Sequence, residues 1–460
     1  MERKSQITVF VILGLVLLIM VGLALFLRNY IITPENTPIA IDKELQPLKQ
    51  GIEECLYLSG KEGIIRLGMQ GGYINPREYN INPNPVVPTI SNSFLFDPDT
   101  SQLEDATIVP YWAYMNSDNE CRSGCTFSSQ RPFLYSNQGS LAIEAQLDEF
   151  IEENSKECID EVIETFTEKN YEITGEAYSF KTTIAENDVL IELTYPLTIK
   201  STRKTFKLSR FNTELGINFK KIYDTATRII EVIANPTHPY LERLTIESIA
   251  PYALTIDSDL PPIAQTVETF SSRGKSMWFM PDIEEKVSEL IDENIGNIQV
   301  QRTKNNVMPL VIFDDTKRNY YDNYYFSLDS VDRQYDVSNY LISFNYVPWW
   351  DSYIKVRPSS GILVKPESAS SFFPLSTVFK KYIFYYDISY PVMIQIIDPN
   401  AFFGEGYTFQ YGYEVNVRNT QPMAGDFTMF EVPSETVSLF CDENQRRSGN
   451  IEIVTKDKIT

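Results

Sequence analysis

The chain has 460 residues, 43% hydrophobic and 13% aromatic, which excludes a disordered chain and allows more than one core. Its 62 acidic and 40 basic residues give a formal charge of -22, which excludes nucleic acid, because phosphate binding needs clustered Lys and Arg. A single histidine, His238, excludes multi-histidine zinc and iron sites.

From Ile7 to Leu27 no charge interrupts an apolar run long enough to span a bilayer as a helix. No A-x-A-like cleavage site follows in "ALFLRNYIITPENTP", so the run reads as an anchor and not as a removed signal. Arg3 and Lys4 precede it and only Arg28 follows closely, which predicts a cytoplasmic N-terminus. The expectation is a single-pass protein of the cell membrane, with residues 1–29 as cytoplasmic tip and transmembrane helix, the bilayer as partner of residues 7–27, and the bulk extracytoplasmic. The stretch "RKSQITVF" also resembles the class III signal of archaeal type IV pilins, with Ser5 and Gln6 as the implied cleavage pair. That family carries a Glu five positions into the mature chain, where this sequence has Phe10.

Prolines make residues 30–42 an extended spacer, and an α+β domain is expected over 43–297. Leu45, Leu48, Ile52, Cys55 and Leu56 have helical spacing, and Gly71-Gly72 in "MQGGYI" marks that helix's end. The irregular stretch 73–138 is too long for a compact domain unless it carries a function or is tied down. Within it, Asp97, Asp99 and Asp105 of "FDPDTSQLED" are candidates for a loose Ca²⁺ site, although Gln102 and Ile108 occupy the sixth and twelfth places and break the EF-hand pattern. A turn is the plainer reading.

A second amphipathic helix is expected over 140–168, three β-like runs follow, and a third helix covers 213–233 until Asn235-Pro236 stops it. "STRK", Ser201 to Lys204, formally matches S-x-x-K but lies in the predicted hairpin turn without companion motifs. His238, among prolines in "ANPTHPYL", fits a loop or cap, with catalysis as the alternative. A fourth helix is expected from Pro281 to Ile295.

Beyond Ile298 the pattern alternates as strands do, which predicts an antiparallel β-sandwich over 298–441. Its aromatic runs offer a binding surface at Trp349, Trp350 and Tyr353, weighed against core packing. Residues 442–460 read as a terminal strand, or as the start of a further module, because "VSLFCDENQRRSGNIEIVTKDKIT" resembles the entry into a small carboxypeptidase-regulatory-like or similar β-sandwich.

Five cysteines lie at 55, 121, 125, 158 and 441. Cys121 and Cys125 in "ECRSGCTF" are close enough to bridge, and no further Cys pair or His cluster completes a zinc site. Four cysteines allow three connectivities. Helical faces favour Cys55 with Cys158, against the alternative of two buried free thiols. Cys441 is left without a partner in this scheme. Disulfides fit an exported protein.

No cofactor motif emerges. "KSQITVFVILG", "IEECL…GMQGGYI" and "YDISYPVMIQIIDPNAFFGEGYTFQYGYEVNVRNTQP" resemble a group of archaeal membrane-anchored proteins, which implies surface exposure and transfers no functional residues. The expected function is a non-enzymatic surface protein for adhesion, envelope structure or cell contact, whose partner is a surface protein, a glycan or another copy of itself. The alternatives are a pilin-like filament subunit and an anchored hydrolase acting on envelope polymers.

Overall fold

Apolar residues spaced three and four apart fold two long helices, α1 (Gln46–Met69) and α2 (Ile143–Thr167). The computed structural model describes residues 43–84, 91–97, 106–202, 204–237, 239–263, 267–270, 274–306, 323–329, 334, 336–368 and 379–420. Two units divide within α1, one ending at Gly51 and the other running from Ile52. In the first, Lys49 N–H donates to the Leu45 carbonyl as α1 begins, at 3.1 Å. In the second, Gly71 at φ +60° and Gly72 at φ +92° end the helix, and Gly72 N–H donates back to Leu67 at 2.8 Å.

β1 (Ser93–Leu95), β2 (Ile108–Met115) and β3 (Phe127–Ser128) lie between these helices. After α2 come β4 (Glu172–Gly175), β5 (Ser179–Ile184), β6 (Val189–Lys200), β7 (Thr205–Leu215), α3 (Phe219–Ile233) and α4 (Tyr240–Ile249). β8 (Val267–Phe270) and β9 (Trp278–Phe279) lead into α5 (Met280–Ile295). Short strands β10 (Gln299–Val300) and β11 (Tyr325–Phe326) precede β12 (Leu341–Tyr346) and β13 (Tyr353–Arg357). β14 (Ser359–Ser360), β15 (Leu363–Val364), β16 (Glu367–Ser368) and β17 (Phe379–Tyr382) then lead to the long pair β18 (Tyr385–Asp398) and β19 (Tyr407–Val417).

β6 is the spine of an antiparallel four-stranded sheet, with β7 on one side and β4 and β5 on the other. Its edges are capped by helix carboxylates. Glu144 and Asp148 of α2 accept from the backbone N–H groups of Ile184 and Thr182 in β5. Glu53 of α1 accepts from Asn212 N–H in β7 at 3.1 Å. An edge N–H given an acceptor this way is no longer a template for another strand. A disulfide with Sγ atoms 1.99 Å apart joins Cys55 of α1 to Cys158 of α2.

The larger sheet runs β1-β2-β19-β18-β12, with β13 also on β18 and β3 also on β2. β2 and β19 pair in parallel, Tyr111 beside Gly412, and the other pairs are antiparallel. One face packs on helices: Trp112 stacks on Tyr411 at 4.4 Å and meets Tyr223 of α3 at 5.6 Å. Tyr411 donates its hydroxyl to the Ala226 carbonyl, and the Tyr390 and Thr245 hydroxyls share a bond of 2.7 Å to α4. The other face carries a smaller core containing Phe94, Tyr111, Val347, Trp350 and Met393.

This architecture corrects the expected fold class, a transmembrane helix followed by an α+β domain and an antiparallel β-sandwich. Among the described residues, β12, β13, β18 and β19 join one sheet, in which β19 pairs with β2 from the irregular stretch 73–138, and one face of that sheet lies against helices. The physical reason is burial on both faces: nine consecutive residues of β18, from Tyr386 to Ile394, are buried, which requires cover from two sides. The expected single-pass anchor and membrane localisation are corrected as well. Among the described residues no helix is long and apolar enough to cross a membrane, because each apolar stripe is backed by a charged one. Residues 7–27, with Ser5 and Gln6, lie outside the described residues, as do His238 and Cys441.

Candidate functional site

The described residues of the stretch 73–138 include β1 and β2. At their edge Asn82, Pro83, Asn84, Asn92, Tyr114 and Asn116 line an open groove of about 510 Å³. Asparagines build its wall. Asn92 accepts from Asn82 N–H at 3.1 Å through Oδ1 and donates to the Asn80 carbonyl at 3.0 Å through Nδ2. Ser91 Oγ accepts from Asn84 N–H and donates to the Ser93 carbonyl, at 3.1 and 2.6 Å. The Tyr114 hydroxyl accepts from Gln130 Nε2 at 3.3 Å. Asn82, Asn84 and Asn116 are exposed. A side-chain amide offers both a donor and an acceptor, and a tyrosine ring adds an apolar face, the pairing that suits polyhydroxyl or peptide ligands.

Trp349 and Trp350 border the same small core. β12 and β13 lie end to end along β18, with Tyr346 opposite Val392 and Tyr353 opposite Ser389. Pro391, with no N–H to offer a ladder, falls at the gap between them, and residues 347–352 leave the sheet there. In that excursion Trp350 is buried at 3% exposure, while Trp349 remains 39% exposed and donates Nε1–H to the Leu95 carbonyl at 2.9 Å. Tyr353 is half-buried, its hydroxyl has no hydrogen-bond partner among the described residues, and Arg418 lies over its ring at 5.6 Å. The three aromatics therefore form no row; only Trp349 presents a ring to solvent.

Behind the groove, where the parallel ladder of β2 and β19 ends, two buried carboxyls replace missing strand acceptors. Glu414 accepts from Met115 N–H at 2.7 Å and from Asn416 Nδ2 at 3.0 Å. Glu242 of α4 accepts from Asn416 N–H at 3.2 Å and from the Tyr413 hydroxyl at 2.9 Å, and its second oxygen has no hydrogen-bond partner among the described residues. Desolvation pushes both acids up to about 7, against the lowering effect of these hydrogen bonds. Burial also pushes the Tyr413 hydroxyl up and the Arg418 guanidinium down. Arg418 donates to Asn119, Ser389 and Asn416 and so holds the loop that Cys121 and Cys125 close, with Sγ atoms 2.07 Å apart. Asp387 accepts from Arg357 Nε at 2.8 Å and from Asn419 N–H at 2.7 Å.

Of the Ca²⁺ candidates, Asp97 is described, while Asp99 and Asp105 lie outside the described residues. Among the described residues no three His, Cys, Asp or Glu side chains gather as a metal site. Ser201 and Lys204 close the β6–β7 turn, Ser201 N–H donating to the Lys204 carbonyl at 2.8 Å. The groove asparagines escaped the sequence reading. Their signal was the asparagine density of "NINPNP" and "SNSF" inside the long irregular stretch. Comparison with protein-family models, curated proteins and solved structures gives no match for this chain.

Proposed function

We propose that this is a non-enzymatic protein of adhesion or surface contact, working in an oxidising compartment and binding a glycan or a polar peptide segment of a surface protein at the asparagine groove. The observation that carries this reading is the groove itself: four asparagines around Tyr114, with the exposed Trp349 bordering the same core. Its polar atoms suit hydroxyl and amide ligands, and the aromatic rings suit the apolar faces of sugars. Two disulfides support the oxidising compartment.

The test is binding of the full chain to arrayed glycans and surface-protein peptides, repeated with Asn116→Ala and Trp349→Ala. Each substitution is expected to weaken binding about tenfold or more, the loss of one well-placed polar or aromatic contact. Circular dichroism should be unchanged. Retention of full binding by both variants would remove the groove from consideration.

A further inference from the structure

From Leu193 to Thr213 this acidic chain has no Asp or Glu, and it places Lys200, Arg203, Lys204, Lys207 and Arg210 in that stretch. The stretch is the β6–β7 hairpin, with Thr198 opposite Lys207 and Lys200 opposite Thr205. Leu197 and Ile199 are buried, so the alternate positions put Lys200 and Lys207 on the opposite, solvent-facing side. Arg210 is exposed further along β7, and Arg203 lies outside the described residues. Lys200 pairs with Glu172 at 3.3 Å, in contact with solvent on both sides. Lys207 and Arg210 make no ion pair among the described residues.

α2 carries the opposite charge. Its buried stripe includes Leu147, Ile151, Ser155 and Ile159. On the far side Glu153, Glu157, Asp160, Glu161, Glu164 and Glu168 are all exposed. Like charges three and four residues apart on a helix repel, and none of the six is neutralised by an ion pair among the described residues. One molecule therefore presents a basic hairpin, on which Lys207 and Arg210 make no ion pair among the described residues, and an acidic helix stripe.

We propose that the basic β6–β7 hairpin docks on the acidic α2 stripe of a second copy of this chain. The contact is heterologous, because two different surfaces meet, so each copy can accept one neighbour and offer itself to another. Charge complementarity selects the second copy as occupant, since it carries the acidic surface itself. The overall negative charge opposes association at long range, so the attraction acts at contact distance and is sensitive to salt.

The experiment is light scattering on the full chain in non-ionic detergent, which shields the apolar run 7–27. It compares about 0.1 M salt, where a screening length of about 10 Å damps the long-range repulsion and leaves contact pairs, with about 1 M, where it is about 3 Å. Association is expected in the first and its loss in the second. The triple variant Lys200→Glu, Lys207→Glu, Arg210→Glu should stay monomeric, as should Glu153→Lys, Glu157→Lys, Glu161→Lys, Glu164→Lys. Mixing the two variants should restore a complex, because one reversed hairpin then meets one reversed helix. A monomeric wild type, a hairpin variant that still associates, or a mixture that stays monomeric each overturns the proposal. The groove is untouched in both variants, so its ligand binding reports separately.

Discussion

Glu242 and Glu414 occupy positions where a strand would normally supply a carbonyl, and each accepts one hydrogen bond from a backbone N–H at the end of the β2–β19 ladder and one from a side chain. Their folded-state pKa of about 7 exceeds the ordinary 4.5, so between these values the folded chain holds more protons than the unfolded one. Stability is therefore fullest below pH 4.5 as far as these two groups decide it, and falls as pH rises to about 7, by roughly 3 kcal/mol for each group. Glu242→Gln keeps an oxygen for Tyr413 and Asn416 and removes the ionisation. Melting temperature followed across that range should show a shallower fall for this variant; an unchanged slope would contradict the assignment. Nothing in "GYEVNV" or "LERLT" betrays such burial, because a glutamate in a pattern reads as a solvent-facing position.

Among elements, the helices were the most legible. The period of apolar residues predicts 140–168 and Pro281–Ile295, and the structure has Ile143–Thr167 and Met280–Ile295. The third was placed too early: residues 213–215 finish β7, and Asn218 caps the helix by accepting from Lys221 N–H at 3.1 Å. α4 went unseen because ten residues after a proline give too short a period. Between α1 and α2 the Cys55–Cys158 bridge spans 103 residues, so Cys55→Ser with Cys158→Ser should cost about 4–5 kcal/mol in denaturant unfolding. Cys121→Ser with Cys125→Ser removes a bridge that closes a loop of only four residues' separation and should cost about 2 kcal/mol. The reverse ranking would show that the helix pair is held by packing alone.

At the level of the whole molecule, strands were readable and their partners were not. Alternation in "NYLISFNYV" and "GYTFQYGYEV" identifies β12 and β19, but period says nothing about which distant strand lies alongside. The parallel pair of β2 and β19 joins residues expected to belong to separate parts of the chain. Expressed apart, residues 43–297 and 298–441 should each lack a cooperative thermal transition, and co-expression should recover one complex. A fragment 298–441 that melts cooperatively by itself would contradict this.

That pairing also sets an order of events on the ribosome. Tyr111 meets Gly412, so roughly 300 residues must be translated before β2 acquires its neighbour. At about 5–20 residues per second the wait is on the order of 15–60 s. For that interval Trp112 and its aromatic surroundings have no strand from β19 to close over them. The nascent chain thus presents the β2 edge long before the strand that covers it has been made.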